Sequence, residues 1–205
     1  MERRWLKHLA MAAMAVGLGA ACSDRPGSIT ALPPQPRLAY LNGYVALTGT
    51  DGKQWIVLTG VGKDIETKSA VIDRDGGDIK LSGTTVSVPR NAVGGPTLFT
   101  VTVLTQPYIK VQLSAVTVSG SGRGNKGGQE LHDFSKTPIT LTMSILRGAK
   151  KNLPDPSLFK MLYVVNDQVE EVLQTTVAYT RDGVVAKLYH FSDYTPGVPA
   201  DVNMW

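Results

Sequence analysis

The 205-residue sequence predicts an all-β fold, an antiparallel β-sandwich with an extra β-hairpin on its N-terminal side. From Leu38 onward, apolar and polar residues alternate with period two, which is typical of strands with one buried face. Phe99–Val103 and Ile139–Ile145 show this alternation most clearly, with threonine or serine between the apolar residues. Glycine, proline, asparagine and aspartate interrupt the pattern at short intervals, as the turns of a sandwich require.

The first predicted element is a β-hairpin within residues 38–66. Tyr40–Leu47 and Gln54–Thr59 have the composition of strands. Asp51 and Gly52 lie between them and form one of the strongest short-range turn signals. The hairpin is either an extension of a sandwich sheet or a small module of its own.

Prolines and one irregularity predict where later strands begin and end. Pro89 is expected to end the strand Thr84–Val88, because proline donates no hydrogen bond to a ladder, and Pro138 is expected to open the next strand. Ile109–Leu113 alternates regularly, but Ala115-Val116 places two apolar residues side by side. This break predicts a β-bulge.

Two short segments are compatible with a helix as well as with a strand. Lys63–Val71 and Val169–Thr175 are both short for a helix. Asn166-Asp167 favours a turn, and Leu162–Val165 and Thr175–Thr180 on either side favour strands. A short strand therefore competes with a helix in the second segment.

Five blocks between Ser69 and Tyr194 resemble, in the same order, the ZU-five domain, the β-sandwich type of ankyrins and netrin receptors. The blocks are Ile72–Ile79, Val86–Val93, Thr97–Val103, Phe134–Leu141 and His190–Tyr194. The resemblance implies a ZU-five-like sandwich over residues 67–198, followed by a tail at 199–205. Two parts depart from the family: the glycine-rich loop Ser119–Gly128 lacks the usual glycine-proline approach to the next strand, and Leu38–Thr59 lies outside the match.

His190, Phe191 and Ser192 resemble the self-cleavage tripeptide of animal death-domain and inflammasome regulators, whose related sandwich cuts its own chain before the serine. The resemblance implies attack of Ser192 Oγ on the carbonyl carbon of Phe191, with the His190 imidazole moving the proton. Such attack also requires a scissile peptide twisted out of plane. Alternatively, His190 and Ser192 end a core-facing row of one continuous strand. That row would comprise Val184, Ala186, Leu188, His190, Ser192 and Tyr194.

The first 21 residues have the pattern of a lipoprotein signal peptide. A basic start at Met1–His8 precedes an apolar run, Leu9–Leu18, that is too short to span a bilayer. Leu18–Cys22 resembles the bacterial lipoprotein box, which implies a diacylglycerol on the Cys22 thiol. Ser23, rather than aspartate, follows the cysteine, and by resemblance to proteobacterial sorting this implies an outer-membrane destination. Gly19 stands where that box usually has leucine. The alternative is ordinary secretion with Cys22 as a free thiol. Residues 22–37, with four prolines, are expected to form a tether.

Composition and motifs argue against several functional classes. Without residues 1–21 the formal net charge falls from +4 to about +2, and no basic cluster suggests nucleic-acid binding. Gly122, Gly124 and Gly127 match the dinucleotide fingerprint in spacing, but no helix is expected to follow them. His132 and His190 lack zinc spacing, and the aspartates around Gly76-Gly77 lack the calcium-loop pattern. We therefore expect no cofactor and no metal.

The predicted function is that of a non-catalytic interaction domain held at the cell envelope. Acylated Cys22 would contact membrane lipid, and the sandwich would meet an envelope protein or a glycan that the sequence does not identify. Self-cleavage between Phe191 and Ser192 is the alternative. Four aromatic residues are contact candidates if exposed, although strand aromatics are more often buried. They are Tyr40, Tyr44, Trp55 and Trp205.

Overall fold

A computed structural model describes residues 39–41, 43–61, 64–118, 128–147, 154–178 and 183–201. In these ranges the chain is all-β, with fourteen strands, two short 3₁₀ turns and no α-helix. The strands are β1 Ala39–Leu41, β2 Tyr44–Gly49, β3 Gln54–Leu58, β4 Ile65–Ile72, β5 Gly77–Leu81, β6 Thr84–Val88, β7 Thr97–Leu104, β8 Lys110–Thr117, β9 Ile139–Ser144, β10 Lys160–Val165, β11 Gln168–Val172, β12 Thr175–Ala178, β13 Gly183–Leu188 and β14 Asp193–Pro199. Residues 145–147 and 156–158 form the 3₁₀ turns.

The strands form two sheets. The nine-stranded sheet has the order β1-β2-β11-β10-β14-β8-β7-β4, and β3 pairs with both β14 and β2. The five-stranded sheet has the order β12-β13-β9-β6-β5. All pairs are antiparallel except β2 with β11, which pair in parallel at Thr48–Gln168 and Gly49–Val169. The predicted antiparallel sandwich is therefore confirmed.

Part of the nine-stranded sheet closes into a ring of five strands. β2 pairs with β3, β3 with β14, β14 with β10, β10 with β11, and β11 again with β2. This small barrel has a hydrophobic core separate from that of the sandwich. The barrel core consists of Val45, Leu47, Trp55, Val57, Tyr108, Leu162, Val164 and Val169.

Strands shared by the barrel and the sandwich are buried on both faces. In β10, Met161 lies in the sandwich core while its neighbour Leu162 lies in the barrel core. In β3, Ile56 and Val57 divide in the same way. Because successive side chains of a strand point to opposite faces, each such strand ties the two cores together.

The predicted N-terminal hairpin is confirmed as β2 and β3, which pair from Tyr44–Leu58 to Thr48–Gln54. Its first strand is not continuous over Tyr40–Leu47 as predicted, because β1 ends at Leu41 and pairs antiparallel with β2. The turn holds Gly52 at a φ of 81°, and the Asp51 carboxylate accepts a hydrogen bond from the backbone N–H of Lys53 at 3.0 Å. Of the two alternatives, an extension or a separate module, the pairings fit the first, because the hairpin lies within the nine-stranded sheet.

Tyr108 fills the barrel core from the segment before β8 and is fully buried. Its hydroxyl donates to Asp167 Oδ1 at 2.7 Å, in the turn between β10 and β11. Burial, followed by this carboxylate, raises the pKa of the Tyr108 phenol far above its ordinary value. The Lys110 ammonium lies 3.0 Å from Asp193 and 4.0 Å from Asp167, so a polar cluster covers this side of the ring.

The regular strands confirm most of the predicted pattern. β7 and β9 bury alternate residues, β6 ends immediately before Pro89, and β9 begins immediately after Pro138. The predicted bulge in β8 is wrong, because β7 and β8 stay in register from Thr97–Thr117 to Leu104–Lys110. Ala115 continues the buried face, and Val116 is an apolar residue on the outer face.

The two segments that were compatible with helices are strands. Residues 65–72 form β4 and residues 168–172 form β11. The turn predicted at Asn166-Asp167 is present, with φ values of 49° and 60°. Pairing with neighbouring strands decides the conformation of these short segments, because neither is long enough to form a stable helix by itself.

The edge strand β4 carries charged side chains on its inner face. Glu66 lies opposite buried Val103, and Lys68 lies opposite buried Val101. The Lys68 ammonium donates to the backbone carbonyl of Lys80 at 3.2 Å, while Glu66 accepts a hydrogen bond from Ser82. Inward-facing charges on an edge strand oppose the addition of a further strand there.

Candidate functional site

The tripeptide His190 to Ser192 lies where the chain crosses from one sheet to the other. β13 ends at Leu188 in the five-stranded sheet, and β14 begins at Asp193 in the nine-stranded sheet. The predicted continuous row from Val184 to Tyr194 is therefore wrong, because the chain changes partners from β9 to β10 and β8 between residues 189 and 192.

Backbone hydrogen bonds hold this crossing at both ends. The N–H of Phe134 donates to the carbonyl of Tyr189 at 2.7 Å, and the N–H of Leu113 donates to the carbonyl of Ser192 at 3.2 Å. The Phe191 ring packs on Phe134 with centroids 4.6 Å apart and meets Phe99 edge-on at 5.8 Å. The Phe191 side chain is thus held by aromatic packing, between two backbone carbonyls that both accept hydrogen bonds.

The imidazole of His190 contacts Tyr194, Tyr163 and Glu171. The Tyr194 hydroxyl lies 3.2 Å from Nδ1 and donates to the His190 carbonyl oxygen at 2.6 Å. The Tyr163 ring meets the imidazole edge-on at 4.8 Å, and a Glu171 oxygen lies 3.9 Å from Nε2. Burial raises the pKa of Tyr194 well above its ordinary value, so this hydroxyl is a neutral donor.

The structure brings the three tripeptide residues together without joining the serine to the imidazole. In the described part of the chain, no hydrogen bond links Ser192 Oγ to His190. The described non-glycine residues with positive φ are all elsewhere, at Ser82, Asn91, Asn166 and Asp167. The His190 side chain is 38% exposed and Ser192 is partly buried, so both remain reachable from solvent. Self-cleavage stays a prediction.

A second site, which the sequence did not predict, lies along the outer face of the five-stranded sheet and extends to β10 and β11 of the nine-stranded sheet. Two open cavities of about 1010 and 420 Å³ are both lined by residues of β9, and we call them together the β9 trough. Thr140 lines the larger cavity, while Thr142 and Ser144 of the same strand line the smaller one. The remaining lining residues are Lys160, Glu171, Val172, Leu173, Gln174, Thr175, Thr176, Val185, Ala186, Lys187 and Tyr189 in the larger cavity, and Lys80, Leu81, Ser82, Gly83, Thr84 and Thr85 in the smaller.

Strand register places hydroxyls side by side in this trough. Thr142 pairs with Thr85 on β6 and with Val185 on β13, and Val185 pairs in turn with Thr176 on β12. Directly paired residues of neighbouring strands share a face, so these side chains form one row. Thr140 lies in the next row, between Ser87 and Lys187.

The trough carries more positive than negative charge. Lys80, Lys160 and Lys187 line it, and none of their ammonium groups has a carboxylate within 4.0 Å in the described part of the chain. Among the described residues that line the trough, Glu171 alone is acidic, and one of its carboxylate oxygens lies 3.9 Å from His190 Nε2. The alternating threonines were visible in the sequence, but there they indicate only the polar face of a strand.

Several residues singled out in the sequence are buried or lie outside the described ranges. Tyr44 and Trp55 are buried in the sandwich and barrel cores and are not contact residues of the free surface. Cys22, the three glycines of the loop at 119–127, the side chain of Tyr40 and all of Trp205 lie outside the described residues.

Within the described ranges, no three His, Cys, Asp or Glu side chains form a cluster able to hold a metal ion. The same residues include no helix with the length and apolar character of a membrane span.

Comparison with known proteins adds no relative. No protein-family model, no curated protein and no solved structure matches the chain.

Proposed function

We propose that this chain is a lipid-anchored protein of the cell envelope, located at the outer membrane, and that its ZU-five-like β-sandwich is a non-catalytic interaction domain. The anchor rests on the leader and on Cys22, and the relation to the ZU-five type rests on the five sequence blocks. The all-β fold is compatible with a β-sandwich domain. No nucleic acid is expected among the partners.

The β9 trough is the observation that carries the binding role. It offers ammonium groups, threonine hydroxyls and the half-exposed ring of Tyr189 on a sheet whose other face is anchored in the sandwich core. A rigid sheet with reachable polar groups is suited to recognition, since little conformational entropy is lost when it binds. None of these groups needs to make or break a covalent bond in order to bind.

The anchor is tested by replacing its thiol. Cys22→Ser in the full chain is expected to abolish incorporation of labelled palmitate and to move the protein from the membrane fraction to the soluble fraction. Ser23→Ala, one residue further on, is the control and is expected to keep the label. Unlabelled wild-type protein would refute lipidation and favour ordinary secretion.

The interaction role is tested by affinity capture from detergent-solubilised envelope. The full-length chain is expected to retain a specific envelope protein or glycan that an unrelated lipoprotein does not retain. Capture of neither a protein nor a glycan would contradict the proposal.

Self-cleavage before Ser192 is the second candidate, and the sheet crossing favours it. Hydrogen bonds at Tyr189 and Ser192 hold the chain on both sides of the Phe191 peptide, and aromatic packing holds the Phe191 ring. A peptide fixed at both ends is the arrangement in which strain can be maintained. The serine hydroxyl would attack the Phe191 carbonyl, the amide would become an ester, and water would then release the new carboxylate.

A further inference from the structure

We infer that the β9 trough binds an anionic polysaccharide, whose charged groups meet the three lysines and whose hydroxyls meet the threonines. The inference rests on the proposed interaction function and names the chemistry of the ligand.

The lysines indicate a ligand with more than one negative charge. Lys80 lies on β5 and Lys187 on β13, and two further strands, β6 and β9, separate them in the sheet. Three strand spacings correspond to about 14 Å across the sheet. Lys160 adds a third ammonium from β10 at the wall of the larger cavity. A polymer with charges repeated along its length matches this spread better than one small anion does.

The hydroxyls between the lysines indicate a sugar. In the described part of the chain, the hydroxyls of Thr85, Thr140, Thr142 and Thr176 have no hydrogen-bond partner in the protein. Each of them can donate one hydrogen bond and accept others, as sugar hydroxyls also do. Tyr189, 50% exposed at the end of the larger cavity, adds a ring against which the apolar face of a sugar can pack.

The charge balance of the trough favours an anionic over a neutral polysaccharide. In the described lining, three lysines stand against one carboxylate, that of Glu171, and the His190 imidazole lies 3.9 Å from this carboxylate. Unpaired ammonium groups on a shared surface attract anions, and added salt screens the attraction. Binding is therefore expected to weaken as the ionic strength rises.

The test uses the purified full-length chain in detergent and four probes: polygalacturonate, dextran, poly-L-glutamate and inorganic phosphate. Polygalacturonate is expected to bind at least about tenfold more tightly than each of the others at low salt. The variant Lys80→Gln/Lys160→Gln/Lys187→Gln is expected to lose about tenfold or more of that affinity. Thr142→Val is expected to weaken polygalacturonate binding several-fold without changing the net charge.

A control variant distinguishes the effect of the three trough lysines from the effect of net charge. Lys53→Gln/Arg90→Gln/Lys136→Gln also removes three positive charges, but from exposed residues that do not line the trough. This variant is expected to bind polygalacturonate as the wild type does. Thermal unfolding followed by circular dichroism checks that all variants are folded.

Three results would overturn the inference: no binding of polygalacturonate, equal binding of dextran or poly-L-glutamate, or an equal loss in the control variant. If these results appear while envelope capture still returns a specific partner, the ligand assignment fails and the proposed interaction function stands. If capture also returns nothing, both fail.

Discussion

The hydroxyl of Tyr194 donates a hydrogen bond to the backbone carbonyl of His190, four residues earlier, at 2.6 Å. Tyr194 is completely buried at the start of β14, and its ring packs in the sandwich core. This hydrogen bond fixes the crossing between the two sheets to the strand that follows it. It also holds the tyrosine oxygen 3.2 Å from Nδ1 of the imidazole.

Tyr194→Phe is expected to lower the free energy of unfolding by about 1–3 kcal/mol, because it leaves the His190 carbonyl without its buried donor. Urea denaturation at pH 7 measures the change. Tyr163→Phe is the control, because the ring of Tyr163 also touches His190 while its hydroxyl makes no hydrogen bond in the described part of the chain. The control is expected to change stability by less than about 0.5 kcal/mol. Equal effects of the two variants would contradict the structural role of the hydrogen bond.

Buried tyrosines predict a loss of stability in alkali. Burial raises the folded-state pKa of Tyr108 and Tyr194 above the unfolded value of about 10. Their contribution is fully present below about pH 10, and it is lost as the pH rises further, because the unfolded chain then releases protons that the folded chain keeps. Each phenol lowers the free energy of unfolding by about 1.4 kcal/mol per pH unit in that range.

Urea denaturation between pH 9 and 11 measures this alkaline loss. In Tyr194→Phe the decline is expected to be shallower than in the wild type, by up to about 1.4 kcal/mol per pH unit. An unchanged slope would show that Tyr194 is not buried as a neutral phenol.

Gly197→Ala is expected to destabilise the barrel. A Cβ at this position would lie 2.6 Å from Leu162 Cδ1 and 3.0 Å from Val57 Cγ1, both in the barrel core. Overpacking of this kind costs about 1–3 kcal/mol. Gly95→Ala is the control, because its added Cβ meets no atom within 4 Å. Chemical denaturation compares the two, and a stable Gly197→Ala variant would contradict the packing of β14 against β10 and β3.

Self-cleavage predicts a separate C-terminal peptide that begins at Ser192. Mass spectrometry of denatured protein is expected to detect it, and Ser192→Ala is expected to abolish it, while Ser135→Ala, on an exposed turn, is not. An intact mass for fresh wild-type protein that stays unchanged after long incubation would rule this candidate out.

If the chain is cut, the two fragments are expected to stay together under native conditions. β14 lies after the cut and pairs with β10, β8 and β3. Both of its faces are buried, so its departure would open the sandwich core and the barrel core together. Size-exclusion chromatography without denaturant is therefore expected to show one species, and a separate free peptide would contradict the pairing.

Local patterns in the sequence predicted the hairpin, the alternating strands β7 and β9, and the ends set by Pro89 and Pro138. These features depend on neighbouring residues: a turn needs its glycine, and a half-buried strand shows period two. The same reasoning failed at Ala115-Val116, because the apolar side chain of Val116 is tolerated on the outer face of a regular ladder.

The β9 trough and the position of the tripeptide His190–Ser192 depend on pairings between residues that are distant in the sequence. Thr142 acquires its neighbours Thr85 and Val185 only when β6, β9 and β13 are aligned. One alternative placed His190 and Ser192 on a continuous strand, but both lie between β13 and β14, where the chain crosses from one sheet to the other.

The sequence by itself determined that the described chain is a β-sandwich with an N-terminal hairpin, because alternation and turn residues are local properties. Only the tertiary structure decided that this hairpin closes a five-stranded barrel with β10, β11 and β14. In a strand that is buried on both faces, apolar and polar residues do not alternate, so its sequence does not indicate which apolar residue enters which core. Leu162 and Met161 are equally apolar neighbours in the sequence, and their separation into two cores follows from the pairing of β10 with β11 and β14 and from the closure of the barrel by β2 and β3, which lie far earlier in the chain.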